Sequence, residues 1–493
     1  MKITVDKQLK TPLYWQISNQ IRDMILSGQL PHGAILPSER SLAEILDVHR
    51  NTVVKAYADL KDKELIAASQ GIGYRVEFSG DTNLHEKGSR NGGQKLRPVN
   101  WDHAIKDQYL DMEKTFDDIF SRFDDDYLIS FAGGMAAPIY DKERLAVDMA
   151  EILNEEGKIP MFFSPYQGDI ELRQRILSYL RTKGIKAGLS EVQIMSETNQ
   201  ALDFIATALL SEGDTVITEE PMSPDVYRVV ELAGCRVIPI PVDGSGMQCD
   251  NIEPIIEKYH PKFIYINSSY HDPTSVTLSL ERRKKLMELS NKYRLPIIEE
   301  DAASELTYEN QPMPTLKSMD TTGNVIYIYS FSLTFVPGLT MAFIVGSAKL
   351  IKSISYLVSI RLTSLDLITQ KLLAKYLANG MYYRKLDELL HLYREKRDLM
   401  CRYLDEARPL GISYEKPHGG VYVWCKLPAG IDSKTLVNIA FKEGISLIPG
   451  DVFYPLKNGG KDYIRLNYSY ESKERIEEGM SKLLEIIKNV LAH

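Results

Sequence analysis

Several short stretches of the chain hold side chains whose types and spacing could do chemistry. Arg50-Asn51-Thr52 and Lys55 set a guanidinium, an amide, a hydroxyl and an ammonium within two turns of a predicted helix, with Ser38 and Arg40 just upstream. Arginine can bond guanine at two points, Asn and Thr can reach bases or phosphates, and Lys neutralises phosphate, so this set suits duplex DNA. A second set is spread along the rest of the chain: Ser196-Glu197-Thr198, His271-Asp272, Glu300-Asp301, Ser330 with Ser332, and Arg465. Most of these close β-branched or aromatic runs, and polar groups at the carboxyl ends of parallel strands form a natural ligand pocket. Arg465 could form a salt bridge inside its own lobe. Glu197, Asp272 and Glu300 with Asp301 favour a cationic or neutral ligand over a phosphate ester. The four cysteines (Cys235, Cys249, Cys401, Cys425) include no C-x-x-C pair, so no disulfide framework and no metal site are expected.

The elements that must position these groups fall into three blocks. Residues 1–78 alternate apolar-periodic segments with turns. Ile17, Ile21 and Ile25 predict a first helix ending at Gly28, Ser38 is a candidate N-cap for a second, and Val53, Val54, Tyr57 and Leu60 face inward on a third. A hairpin-like IAASQGIGYRVEF follows, with Gly71 and Gly73 as turn residues. The order helix, helix, short turn, helix, hairpin is that of a winged helix-turn-helix. Residues 79–98 are rich in Gly, Ser, Asn and charge without apolar periodicity, and are expected to be a flexible linker. In residues 99–493, strand-like runs at 192–196, 215–219, 236–242, 263–269, 296–301, 325–330 and 341–346 alternate with helical ones. That pattern predicts an α/β fold with a mainly parallel sheet, whose large part spans about 135–375. Residues 99–134 and 376–493 are expected to form a smaller α+β lobe. At 493 residues with 44% apolar and 26% charged content, the chain is that of a multidomain soluble protein. Its net charge of −8 gives no global attraction to nucleic acid, so any DNA contact must be local. No apolar run approaches the roughly 18 residues of a membrane span. The start, MKITVDKQLK, lacks the apolar core of a signal peptide, and a cytoplasmic location is expected.

The stretch PLYWQISNQIRDMILSGQLPHGAILPSERSLAEILDVHRNTVVKAYADLKDKELI resembles the GntR family of bacterial repressors almost end to end. The resemblance implies operator contacts by Ser38, Arg40, Arg50, Asn51, Thr52 and Lys55, and a wing around Gly71 and Gly73. Two positions depart from the family pattern. His49 stands where a capping serine is common, and a lost cap costs ~1 kcal/mol; the wing, AASQGIGY, lacks its usual basic residues.

The remainder, from about residue 125 to 490, resembles fold-type I aminotransferases, and the combination is the architecture of the MocR subfamily. SPYQGDIELRQRILSYLRTKGI, YHDPTSVT, IIEEDAASEL, HGGVYVW and YIRLNYS fall where the family has recognisable elements. The family cofactor is pyridoxal phosphate (PLP), held as a Schiff base by a lysine in Ser-x-Ser-Lys and by an arginine in Pro-Gly-x-Arg. In SFSLTFVPGLT these positions are Leu333 and Thr340. Glu197 replaces a glycine of the phosphate segment, Glu300 the aspartate of the pyridine nitrogen, and Ala302 and Ser223 two tyrosines. For Arg465 the resemblance adds a two-point grip on a ligand carboxylate. The resemblance therefore implies a transcriptional regulator that dimerises, binds operator DNA and senses a small amine or amino-acid-like effector, with no bound cofactor and no catalytic residue. The alternative is a protein that keeps PLP noncovalently or retains residual transamination.

Overall fold

A computed structural model of the chain describes residues 3–5, 12–26, 29–63, 65–69, 73–77, 99, 101–105, 128–133, 137–155, 163–309 and 312–492. The chain divides into two compact units, Met1–Glu113 and Lys114–His493. The stretch 79–98, expected to be a linker, lies outside the described residues, and so does Gly71.

The first unit contains helices α1 (Leu13–Leu26), α2 (Glu39–Leu46) and α3 (Arg50–Asp62), then strands β1 (Ile66–Ser69) and β2 (Gly73–Val76) paired antiparallel. Ile17, Ile21 and Ile25 recur every fourth residue, so they form one stripe of α1. That stripe packs with Leu42, Leu46, Val53, Tyr57 and Leu60 into a single apolar core. Ser38 caps α2 as expected, its Oγ accepting the N–H of Ser41 at 3.1 Å. The expected loss of the α3 cap does not occur. His49 Nδ1 accepts the N–H of Asn51 at 3.2 Å, so an imidazole nitrogen does the work of a serine hydroxyl. The Tyr57 hydroxyl donates to the carbonyl of Pro37 at 2.8 Å and ties α3 to the start of α2. The short helix Trp101–Ala104, expected with the small lobe, falls within the first unit.

In the second unit the strands are β3 (Ile129–Ser130), β4 (Val192–Met195), β5 (Thr215–Glu220), β6 (Arg236–Asp243), β7 (Gly246–Met247), β8 (Ile264–Asn267), β9 (Ile297–Asp301), β10 (Val325–Ser330) and β11 (Ala342–Val345). An eight-stranded sheet runs β4-β11-β10-β9-β8-β5-β6-β7. The succession β10-β9-β8-β5-β6 is parallel, whereas β11 runs antiparallel to both its neighbours and β7 folds back on β6. Every residue of β10 is buried, as a strand covered on both faces must be, which explains its unbroken apolar and aromatic sequence. A smaller antiparallel sheet contains β12 (Ser413–Tyr414), β13 (Tyr422–Lys426), β15 (Ile448–Pro449) and β16 (Tyr463–Asn467). It packs with the helices Met381–Glu406 and Lys473–Ala492. Strand β14 (Ile445–Ser446) pairs with β3, so residues 128–133 belong with this small lobe. Among the described residues no helix is long and apolar enough to cross a membrane.

Candidate functional sites

The N-terminal ends of α2 and α3 present Ser38, Arg40, Arg50, Asn51 and Lys55 to solvent, with Thr52 half-buried beside them. Two of the cations are already engaged. Arg40 Nε lies 3.1 Å from Glu44, and Arg50 Nη2 lies 3.0 Å from Glu39 Oε2. The other Glu39 oxygen accepts the hydroxyl of Tyr74, on β2, at 3.1 Å. One carboxylate thus joins the first residue of α3 to the wing strand, a role that nothing in the local sequence around Glu39 signals. Lys55 has no ion pair among the described residues. Gly73 opens β2 with φ near +100°, a conformation that suits glycine.

In the second unit, β9 ends in three consecutive carboxylates, Glu299, Glu300 and Asp301, of which the last two point in opposite directions, as successive strand residues must. Glu300 lines a cavity of about 50 Å³ together with Asn199, Glu219, Asn267, His271 and Asp272. Burial, reinforced by Asp225, Asp301 and Glu197, pushes the Glu300 carboxyl up to about 8. Asp301 does not join it, contrary to expectation. It accepts the hydroxyls of Ser304 at 2.6 Å and Tyr327 at 2.7 Å, with Lys183 Nζ at 3.7 Å. Burial opposes its ionisation, but Lys183 and these hydrogen bonds outweigh that and hold its carboxyl below the usual range.

His271 and Glu219 sit 3.5 Å apart without forming a salt bridge. Burial pushes the imidazole down to about 3, so it is neutral near pH 7, and holds the Glu219 carboxyl well above the usual range. Glu219 accepts the N–H of Asn267 at 2.7 Å, and His271 Nδ1 lies 2.8 Å from the Thr274 hydroxyl. The role of Glu219 was not legible, because nothing local tells which end of TVITEE turns inward.

Among the described residues Arg465 does not close a salt bridge inside the small lobe. Its Nη1 donates to Asp272 Oδ1 at 2.7 Å, in the loop that follows β8, so the pair spans the two parts of the unit rather than closing inside the small lobe. Nη2 donates to the carbonyl of Ala132 at 2.8 Å, and the guanidinium stacks over Tyr422, 4.1 Å from the ring centroid. The chain thus supplies the carboxylate that Arg465 holds.

The remaining candidates do not line the 50 Å³ cavity. Glu197 caps the helix Thr198–Leu209 by accepting the N–H of Thr198 at 3.2 Å, and the N–H of Ser196 donates to Gln200 at 3.1 Å. An anion seat at that helix start is therefore taken by the chain's own acid. The Ser330 and Ser332 hydroxyls bond each other at 2.5 Å. Leu333 is buried in the main apolar cluster, and Thr340 is half-buried just ahead of β11.

Comparison with known proteins agrees with this two-unit organisation. The profile of the family described as aminotransferase class I and II matches residues 140–483, and that of the bacterial regulatory proteins, gntR family, matches residues 13–76. The chain is similar to an uncharacterized HTH-type transcriptional regulator, YdfD, of Bacillus subtilis (strain 168), with 29% identity over 98% of both chains. It is 30% identical to aromatic-amino-acid aminotransferase 1 of Thermococcus litoralis over 73% of this chain and 88% of that one. Among solved structures, LysN, the alpha-aminoadipate aminotransferase of Thermus thermophilus complexed with N-(5'-phosphopyridoxyl)-L-leucine, superposes with a TM-score of 0.72 at 28% identity. That match covers 80% of this chain and all of that one.

Proposed function

Because the chain belongs to the aminotransferase class I and II family and carries a gntR-family helix-turn-helix domain ahead of it, we propose that it is a cytoplasmic, dimeric transcriptional regulator. In this reading Ser38, Arg40, Arg50, Asn51, Thr52 and Lys55 contact operator DNA, with Gly73 shaping the wing. The second unit responds to a small amine or amino-acid-like effector and does not transaminate. The observation that carries the DNA-binding role is the exposed, cation-bearing start of α3 on a capped helix-turn-helix frame. It is supported by the full-length likeness to an HTH-type transcriptional regulator.

The residues present do not fit PLP. Around Glu300 the described residues leave a cavity of about 50 Å³, against roughly 300–1,000 Å³ for small-molecule sites. The helix start that would meet a phosphate is capped by Glu197, and Leu333 offers no amine. No reaction step is therefore assigned to the cofactor.

Dimerisation is supported by an apolar surface on the second unit. Phe163, Tyr166, Tyr356 and Ile360 are 77%, 53%, 67% and 60% exposed. The N–H of Ser164 donates to the Ser364 hydroxyl, and Gln193 donates to the carbonyl of Tyr166 while accepting the Ser355 hydroxyl, so these bonds hold the segments together. Clustered exposed side chains of this kind mark interaction surfaces.

Selection from random duplex DNA by the full chain tests the regulator reading, and recovery of a reproducible repeated or palindromic sequence is the expected result. Recovery of no preferred sequence would overturn it. Incubation with PLP followed by gel filtration should leave no absorbance of the bound aldehyde; a retained band would favour a noncovalent cofactor site. Leu333→Lys should produce no measurable transamination. It should also lower the thermal midpoint, since an amine buried without a partner costs ~1–3 kcal/mol.

A further inference from the structure

The loop after β8 borders two cavities. His271 and Asp272 line the small one, whereas Ser269, Tyr270, Thr274 and Thr277 line a second cavity of about 570 Å³, within the size range of small-molecule sites. Its opposite wall is the small-lobe segment Glu415–His418, which lies between β12 and β13. Both walls belong to the second unit.

The two walls differ in chemistry. On the segment side, Lys416 is paired with Asp398 at 2.7 Å and His418 Nδ1 lies 3.1 Å from Glu309, so both side chains are already engaged. Glu415 has no ion pair and no hydrogen bond among the described residues. A Cβ added to Gly244, another residue of the lining, would stand 3.8 Å from its Oε1. On the loop side, three hydroxyl oxygens are used as acceptors only. Ser269 accepts from Arg283 at 3.2 Å, Thr277 from the N–H of Tyr270 at 3.3 Å, and Ser279 from the N–H of Arg282 at 3.4 Å. Among the described residues none of the three hydroxyl protons has an acceptor, so each can be donated to a ligand. The cavity therefore offers one unpaired carboxylate facing a row of O–H donors.

The frame is rigid. Tyr270 and Ser275 both hold positive φ, near 51° and 59°, a conformation that costs a side-chain-bearing residue energy and persists only where its surroundings impose it. Ser275 Oγ donates to the carbonyl of Tyr422 at 2.7 Å, and the Tyr270 ring is pressed against Gly419, where a Cβ would lie 2.2 Å from Cζ. A preformed site loses little ordering entropy on binding.

We propose that this cavity binds a small primary amine bearing hydroxyl or carbonyl oxygens, with its ammonium on Glu415 and its oxygens on the Ser269, Thr277 and Ser279 hydroxyls. The proposal rests on the reading that the second unit senses an effector, and it moves the seat of that effector from the 50 Å³ cavity to its neighbour. The ligand touches the loop whose other face carries Asp272 and, through it, Arg465 of the small lobe. Occupancy and the relation between the two parts of the unit are thereby linked.

Ligand-detected NMR of the full chain tests this, with D-glucosamine, serinol and ethanolamine as probes and D-glucose and myo-inositol as uncharged controls. Saturable binding of at least one amine is expected, with the controls weaker by roughly tenfold or more. Glu415→Gln, at an unpaired site where folding is not at stake, should weaken the amine by a similar factor, and Thr277→Val should weaken the hydroxylated amines. Absence of saturable binding by every amine, or equal binding by Glu415→Gln, would overturn the proposal. The same samples are assayed on the selected DNA. Lost DNA recognition with intact amine binding removes the regulator reading alone, and intact recognition without amine binding removes the site alone.

Discussion

In the proposed DNA-binding role Arg50 starts from a pair with Glu39, 3.0 Å away, in which Arg50 is exposed and Glu39 mostly buried. A base or phosphate that binds Arg50 must compete with that carboxylate. Arg50→Ala should weaken binding to the selected DNA by roughly 10–100-fold, from the ~1–3 kcal/mol of a bidentate base contact, measured by fluorescence anisotropy. Glu300 carries a second prediction. Its folded value is raised to about 8 from an ordinary ~4.3, so the native state keeps a proton the unfolded chain releases. Its contribution to stability is complete below ~4.3 and is lost as pH rises to about 8. Glu300→Gln should therefore raise the thermal midpoint more at pH 9 than at pH 5; an equal shift at both would contradict the assignment. Residue identity made some of this legible. Position-by-position matching singled out Glu300 over Asp301, but strand alternation had to be seen in three dimensions to show Asp301 turned toward Lys183. The capping nitrogen of His49 was missed because the expectation considered hydroxyl caps only.

At the scale of elements, all seven stretches with strand-like composition are strands, and in β10 and β11 burial of every residue writes a nearly continuous apolar run into the sequence. Direction is not written there. Strand β11 is as apolar as its neighbours and runs the other way, and β7 spans two residues, too few to show any period. The loop after β8 was even less legible. The left-handed φ of Tyr270 comes with its packing against Gly419 and Gly420, about 150 residues downstream, and no local signal announces it. That loop is tied to β16 by Asp272 and Arg465, a mostly buried pair. Asp272→Ala strips the guanidinium of its partner in a dry setting and should cost about 3 kcal/mol, seen as a lower urea midpoint. A change within a few tenths of a kcal/mol would mean that Arg465 finds another acceptor.

For the whole molecule, a net charge of −8 means that DNA binding draws on a local cluster of cations rather than on long-range attraction, and it should fall steeply with salt. The proposed dimer would draw on the apolar surface of the second unit. Tyr356→Glu with Ile360→Glu should shift the protein from dimer to monomer in sedimentation experiments while the fold persists, because both side chains are more than half exposed. An unchanged dimer would place the interface elsewhere. The bond between Arg465 and Asp272 has a consequence in terms of mass action. A carboxylate fixed to the same chain is present at a high effective concentration that no dilution or starvation lowers. A free amino acid seeking that guanidinium must displace a rival that never diffuses away.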